Sequence, residues 1–70
     1  MGRFIKLREI ESGVFVITTS TLPTFLTHDW ERAKLIVRNY HRVGHLGGRV
    51  LFKTQINHQL DEQELADMIQ

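Results

Sequence analysis

The 70-residue sequence contains no cysteine, one proline, one tryptophan and one tyrosine. Without cysteine there is no disulfide and no thiolate zinc site, so a chain this small must fold on its hydrophobic core or on a partner. Long apolar runs are missing too. The longest, "VFVI" and "LIV", are far short of the roughly 20 residues that cross a bilayer. Met1 to Ile10 already mixes charges with apolar side chains, which does not read as a secretory leader. The expectation is one soluble, cytoplasmic domain with no membrane partner.

Positive charge is lacking at one end. From Gln59 to Gln70 there are four acids (Asp61, Glu62, Glu64, Asp67) and no Lys or Arg, whereas residues 1–58 hold all nine cations against four acids. This asymmetry divides the chain into a compact body, 1–58, and an acidic helix or tail, 59–70. A basic body attracts phosphates or acidic protein surfaces, and an acidic tail is suited to shield it.

What is present reads as β-β-α-β-α. "RFIKLREI" (3–10) alternates, with Ile5 and Leu7 on one side and Lys6 and Arg8 on the other. "ESG" has turn chemistry, and "VFVITT" (14–19) is β-branched and aromatic, so the two runs form a hairpin. "STLPTFLT" (20–27) reads as a loop broken by Pro23. Thr27 then suits a helix N-cap, with Asp29 and Glu31 at the positive end of the dipole. From His28 to Val43 the apolar residues Trp30, Ala33, Ile36, Val37, Tyr40 and Val43 share a helical face. "GGRVLFKTQI" (47–56) returns to strand composition. In "LDEQELADMI", Asp61 and Glu64 have capping-box spacing, Leu60 and Leu65 form a hydrophobic staple, and Leu65, Met68 and Ile69 make a thin apolar stripe. The expected fold is α+β: a three-stranded antiparallel sheet, order 2-1-3, with the long helix on one face and a short acidic C-terminal helix. The other face is wet and carries Lys6, Arg8 and Lys53.

"HRVGHLGGR" (41–49) is the stretch that most invites a site. Its glycines follow a helix, whereas phosphate-binding glycine loops precede one, where free N–H groups and the positive dipole end are found. Gly44 is expected at the helix C-cap and Gly47 and Gly48 in the reversal that follows. "GHLG" matches a KH-type GxxG loop, but that loop joins two helices and a strand follows here. His41 and His45 are four apart, yet a cap at Gly44 leaves His45 off the helix, and His28 and His58 are distant. No metal and no cofactor are expected. Ser12 and Ser20 sit in turns without a histidine base, and the acids of "EIE" beside the hairpin turn read as solubilising, so no enzyme is expected.

The best binding candidate on the helix is the basic stripe Lys34, Arg38 and Arg42, with Leu35 exposed beside it. An apolar side chain flanked by cations suits a protein contact. Phe4 and Phe52 are expected in the core; facing outward they would offer stacking platforms for single-stranded nucleic acid. In size the chain is similar to small phage-encoded proteins that bind host enzymes such as RNA polymerase. These features imply a non-catalytic protein-binding module, a small regulator or inhibitor docking on a larger protein. The alternative is a nucleic-acid binder using the basic helix face, and a homo-oligomer through the Leu65/Met68/Ile69 stripe is a further option.

Overall fold

A computed structural model describes residues 3–46, 50–57 and 60–69, at 44–46 the backbone alone. The element order is β1 (Arg3–Glu11), β2 (Val14–Thr19), β3 (Phe25–Thr27), α1 (Trp30–Leu46), β4 (Val50–Gln55) and α2 (Glu62–Ile69). The α+β class holds, but the sheet is four-stranded and mixed, with order β3-β2-β1-β4.

The expected hairpin forms. Ile5 pairs with Thr19 and Leu7 with Ile17, and the register shifts by a bulge between Glu9 and Glu11. Gly13 closes the turn at φ 80, a conformation that a Cβ makes unfavourable. The Glu9 carboxylate accepts the Gly13 N–H and, with its other oxygen, the Asn57 N–H, each at 2.9 Å. Glu9 is therefore a clamp between the hairpin and the exit of β4, and not merely a solubilising charge.

Two expectations about the sheet are corrected by one element. The 20–27 segment is not all loop, because Phe25–Thr27 pairs antiparallel with β2. That extra strand reverses the chain once more before the helix. The crossover through α1 therefore delivers β4 parallel to β1, with Ile5 opposite Phe52 and Lys6 opposite Lys53. Parallel neighbours need such a long crossover, whereas an antiparallel third strand would follow only if the chain entered α1 directly from β2.

α1 begins later than expected and ends later. Asp29, not Thr27, is the N-cap: its Oδ1 accepts the Glu31 N–H at 3.0 Å and the Arg32 N–H at 3.4 Å. Thr27 ends β3, and its Oγ1 accepts the Asp29 N–H. Gly44 does not cap; the helix runs through it to Leu46, so His41 and His45 lie on one helix. Gly47 and Gly48, like His58, lie outside the described residues.

Both helices cover the same face of the sheet. Ile5, Leu7, Phe15, Ile17, Ala33, Val37 and Met68 form the core, flanked by Phe25, Trp30, Ile36, Tyr40, Val50, Phe52, Ile56 and Leu60. Phe15 packs on Trp30 with ring centroids 4.9 Å apart. Val43 does not join this face; it is 64% exposed. Of the C-terminal stripe only Met68 is buried, with Leu65 and Ile69 left exposed. Burying a side chain such as Met68 contributes about 1.5–3 kcal/mol.

Candidate binding face of the sheet

The seven candidate binding residues fall on two opposite surfaces. Lys34, Leu35, Arg38 and Arg42 lie on α1, while Lys6, Arg8 and Lys53 lie on the sheet face that no helix covers. The two surfaces differ in how far their charge is already compensated.

On the helix side, acids meet Lys34. Lys34 Nζ is 3.0 Å from Glu31 and 3.9 Å from Glu64, and it is also 5.9 Å from the centroid of the Trp30 ring. The hydrogen bond that Lys34 donates to Glu31, together with the charges of Glu31, Glu64 and Asp67, holds the Lys34 ammonium above its ordinary 10.5, outweighing desolvation. Asp67 also joins Glu31, Lys34, Leu35 and Arg38 around a small hollow. Arg42 is exposed, and so is Leu35, as expected. The stripe is thus partly neutralised by the helix that docks beside it, and Lys34 is a structural residue.

The docking of α2 has its own chemistry. Asp61 Oδ1 accepts the Glu64 N–H at 2.7 Å, which is the forward half of a capping box. The reverse half is absent: the Glu64 carboxylate instead accepts the Trp30 indole N–H at 2.7 Å. One carboxylate therefore fastens α2 to α1 through an indole and an ammonium at once.

The sheet side is different. Side chains alternate across a strand, so with Ile5 and Leu7 in the core, Phe4, Lys6 and Arg8 stand on the open face. Register carries the same rule to the neighbouring strands. Leu51 stands beside Phe4, Lys53 beside Lys6 and Gln55 beside Arg8 on β4, and Thr18, Val16 and Leu26 complete the rows on β2 and β3. Phe4, 37% exposed, is therefore on the open face and not in the core, whereas Phe52 packs against the core from the helix side. Leu26 and Leu51 are each more than half exposed, with Val16 buried between strands beside them.

Lys6 and Lys53 are lateral neighbours on strands about 4.8 Å apart. Like charges placed so disfavour the pair unless an anion or solvent screens them. Among the described residues no carboxylate reaches ion-pair distance of Lys6, Arg8 or Lys53. Arg8 Nε is closed off from solvent and, among the described residues, has no hydrogen-bond partner. Arg3, Phe4, Lys6, Leu51 and Lys53 line a shallow groove of about 440 Å³ across this face. An arrangement of paired ammonium groups between apolar rows can hold carboxylates flanked by apolar side chains.

Alternation alone places Phe4 with Lys6 and Arg8, opposite Ile5 and Leu7. What the strand pattern does not supply is the partner strand for Lys6, which depends on β4 arriving parallel. Among the described residues, no three histidine or acidic side chains gather as metal ligands would. Among the described residues, no helix is long and apolar enough to cross a membrane. Compared with protein-family models, curated proteins and solved structures, the chain matches none.

Proposed function

We propose that this chain is a non-catalytic protein-binding module, a small regulator or inhibitor that docks an acidic, partly apolar surface of a larger protein on its open sheet face. The observation that carries this reading is the Lys6–Lys53 pair, in register and, among the described residues, without a carboxylate, between the Phe4–Leu51 row and the Val16–Leu26 row. Apolar groups that stay exposed beside uncompensated cations support a protein contact. Several polar side chains that a catalytic reading would recruit have structural partners. Ser20 Oγ accepts the Phe4 N–H, Thr19 Oγ1 accepts the Leu22 N–H, and Glu9, Asp29 and Asp61 hold turns and helix starts.

Single-stranded nucleic acid is the second reading, because Phe4 with Lys6, Arg8 and Lys53 combines a ring with a basic surface. Platforms for bases usually stack two or three of them on aromatic side chains. Here Phe4 is the one ring on the rows of the face, and its neighbours are leucines, which favours a protein partner.

The test compares the wild type with Lys6→Glu/Lys53→Glu and with Arg38→Glu/Arg42→Glu as baits, with and without nuclease. The reading predicts a stoichiometric protein that survives nuclease, is lost by the sheet variant and is kept by the helix variant. Loss on nuclease treatment would instead assign the face to nucleic acid. Loss with the helix variant alone would return the site to α1.

A further inference from the structure

The two edges of the sheet are unequal. β3 has three residues and follows Pro23, which supplies no N–H, so that edge is short and blunted. β4, at the other edge, has six residues, no proline and the composition "VLFKTQ". Among the described residues no strand pairs with its outer side, so half of its backbone N–H and C=O groups have no ladder partner there. Among the described residues, the backbone hydrogen bonds outside regular elements all lie elsewhere.

The two faces of β4 also differ in what they would offer a neighbour. Leu51, Lys53 and Gln55 lie on the open face and are exposed. Val50 and Phe52 lie on the helix side and are half-buried, so the core stops short at this edge. A strand laid along β4 would place alternate side chains next to Lys53 on one face and next to Val50 and Phe52 on the other.

We propose that the partner docks by adding an extended segment to β4 as a fifth strand, and that this segment alternates acidic and apolar residues. This rests on the reading of the open face as the site for an acidic protein surface. Carboxylates on the open side meet Lys53 and, one strand further in, Lys6, which relieves the like-charge pair. Apolar residues on the other side extend the core over Val50 and Phe52. Main-chain hydrogen bonds to β4 supply affinity, and the alternating pattern supplies selectivity. A second copy of this chain fits less well, because β4 paired with β4 would bring together edges that both carry Lys53.

The experiment uses the full chain and a short, end-blocked peptide alternating glutamate and valine. Its twin is N-methylated at the central residues, which removes the donors of both peptide edges but keeps charge and side chains. Strand addition predicts that the twin binds at least about tenfold more weakly, since two or three main-chain hydrogen bonds are lost. It also predicts that amide exchange within residues 50–55 slows when the unmethylated peptide is bound. Equal binding of both peptides, with exchange in 50–55 unchanged, would overturn strand addition while leaving docking on the face intact. If neither peptide binds, or if Lys6→Glu/Lys53→Glu binds the unmethylated peptide as well as the wild type does, the underlying reading falls and strand addition with it. Thermal melting of the double variant confirms that it is folded.

Discussion

Glu64 lies 34 positions from Trp30, yet its carboxylate takes the indole N–H at 2.7 Å and faces the Lys34 ammonium. Local spacing identifies Glu64 as half of a capping box, which is a contact within four residues; the long-range partner exists only once α2 lies on α1. Lys34 is legible as part of a basic stripe but not as a structural cation, for the same reason. Because the fold holds Lys34 above 10.5, its contribution to stability is complete below 10.5 and is lost as pH rises through the raised folded value. The melting temperature should therefore fall on titration above about pH 10.5, and Lys34→Met should make that fall shallower. Equal slopes in the two proteins would separate Lys34 from the stability of the fold. Gly13 is a simpler case, legible from the "ESG" triplet alone. Nothing crowds a Cβ there, but φ is +80, so Gly13→Ala should cost about 1–2 kcal/mol in chemical denaturation. Gly13→Asn should cost less, since asparagine tolerates that region.

Among the elements, α2 is legible as a helix, but its place in the core is not. Residues 62–69 are too few to hold a helix alone. The docked helix supplies Met68 to the same core as Leu7 and Ile17, each with no exposed surface. Met68→Ala should destabilise by about 2–5 kcal/mol, as for other large core side chains cut to alanine. Leu65→Ala and Ile69→Ala, at exposed positions, should change stability by about 0.5 kcal/mol or less. Denaturant unfolding of the three variants checks the order, and a large loss at Leu65 would mean that a different face of α2 is buried. The start of α1 makes a similar point. Asp29→Ala should cost about 0.5–2 kcal/mol as the loss of an N-cap. The hairpin and both helices are legible because period and turn chemistry are local. β3 is not, since three residues after a proline carry no period, and their strand conformation is set by the free edge of β2.

At the scale of the whole molecule, one short strand changes the direction of β4 and with it the identity of the site. An antiparallel sheet still leaves Lys6, Arg8 and Lys53 on a wet face, and that part is legible from alternation. The parallel ladder is what sets Lys6 beside Lys53 and Phe4 beside Leu51, and no local pattern encodes a pairing between strands so far apart in the chain. The charge asymmetry along the chain also resolves spatially. Glu64 and Asp67 of α2 face Lys34 on α1, so they partly neutralise the helix side, and the cations of the sheet side stay without a carboxylate among the described residues. The molecule therefore has one surface partly compensated at Lys34 and one whose cations have no carboxylate partner among the described residues, on opposite faces of the same small core. The measurement that decides between them is amide chemical-shift mapping of the full chain with the alternating glutamate–valine peptide. The account predicts shifts concentrated at Phe4, Lys6, Arg8, Leu51 and Lys53. Shifts concentrated at Lys34, Leu35, Arg38 and Arg42, with the sheet unchanged, would contradict it.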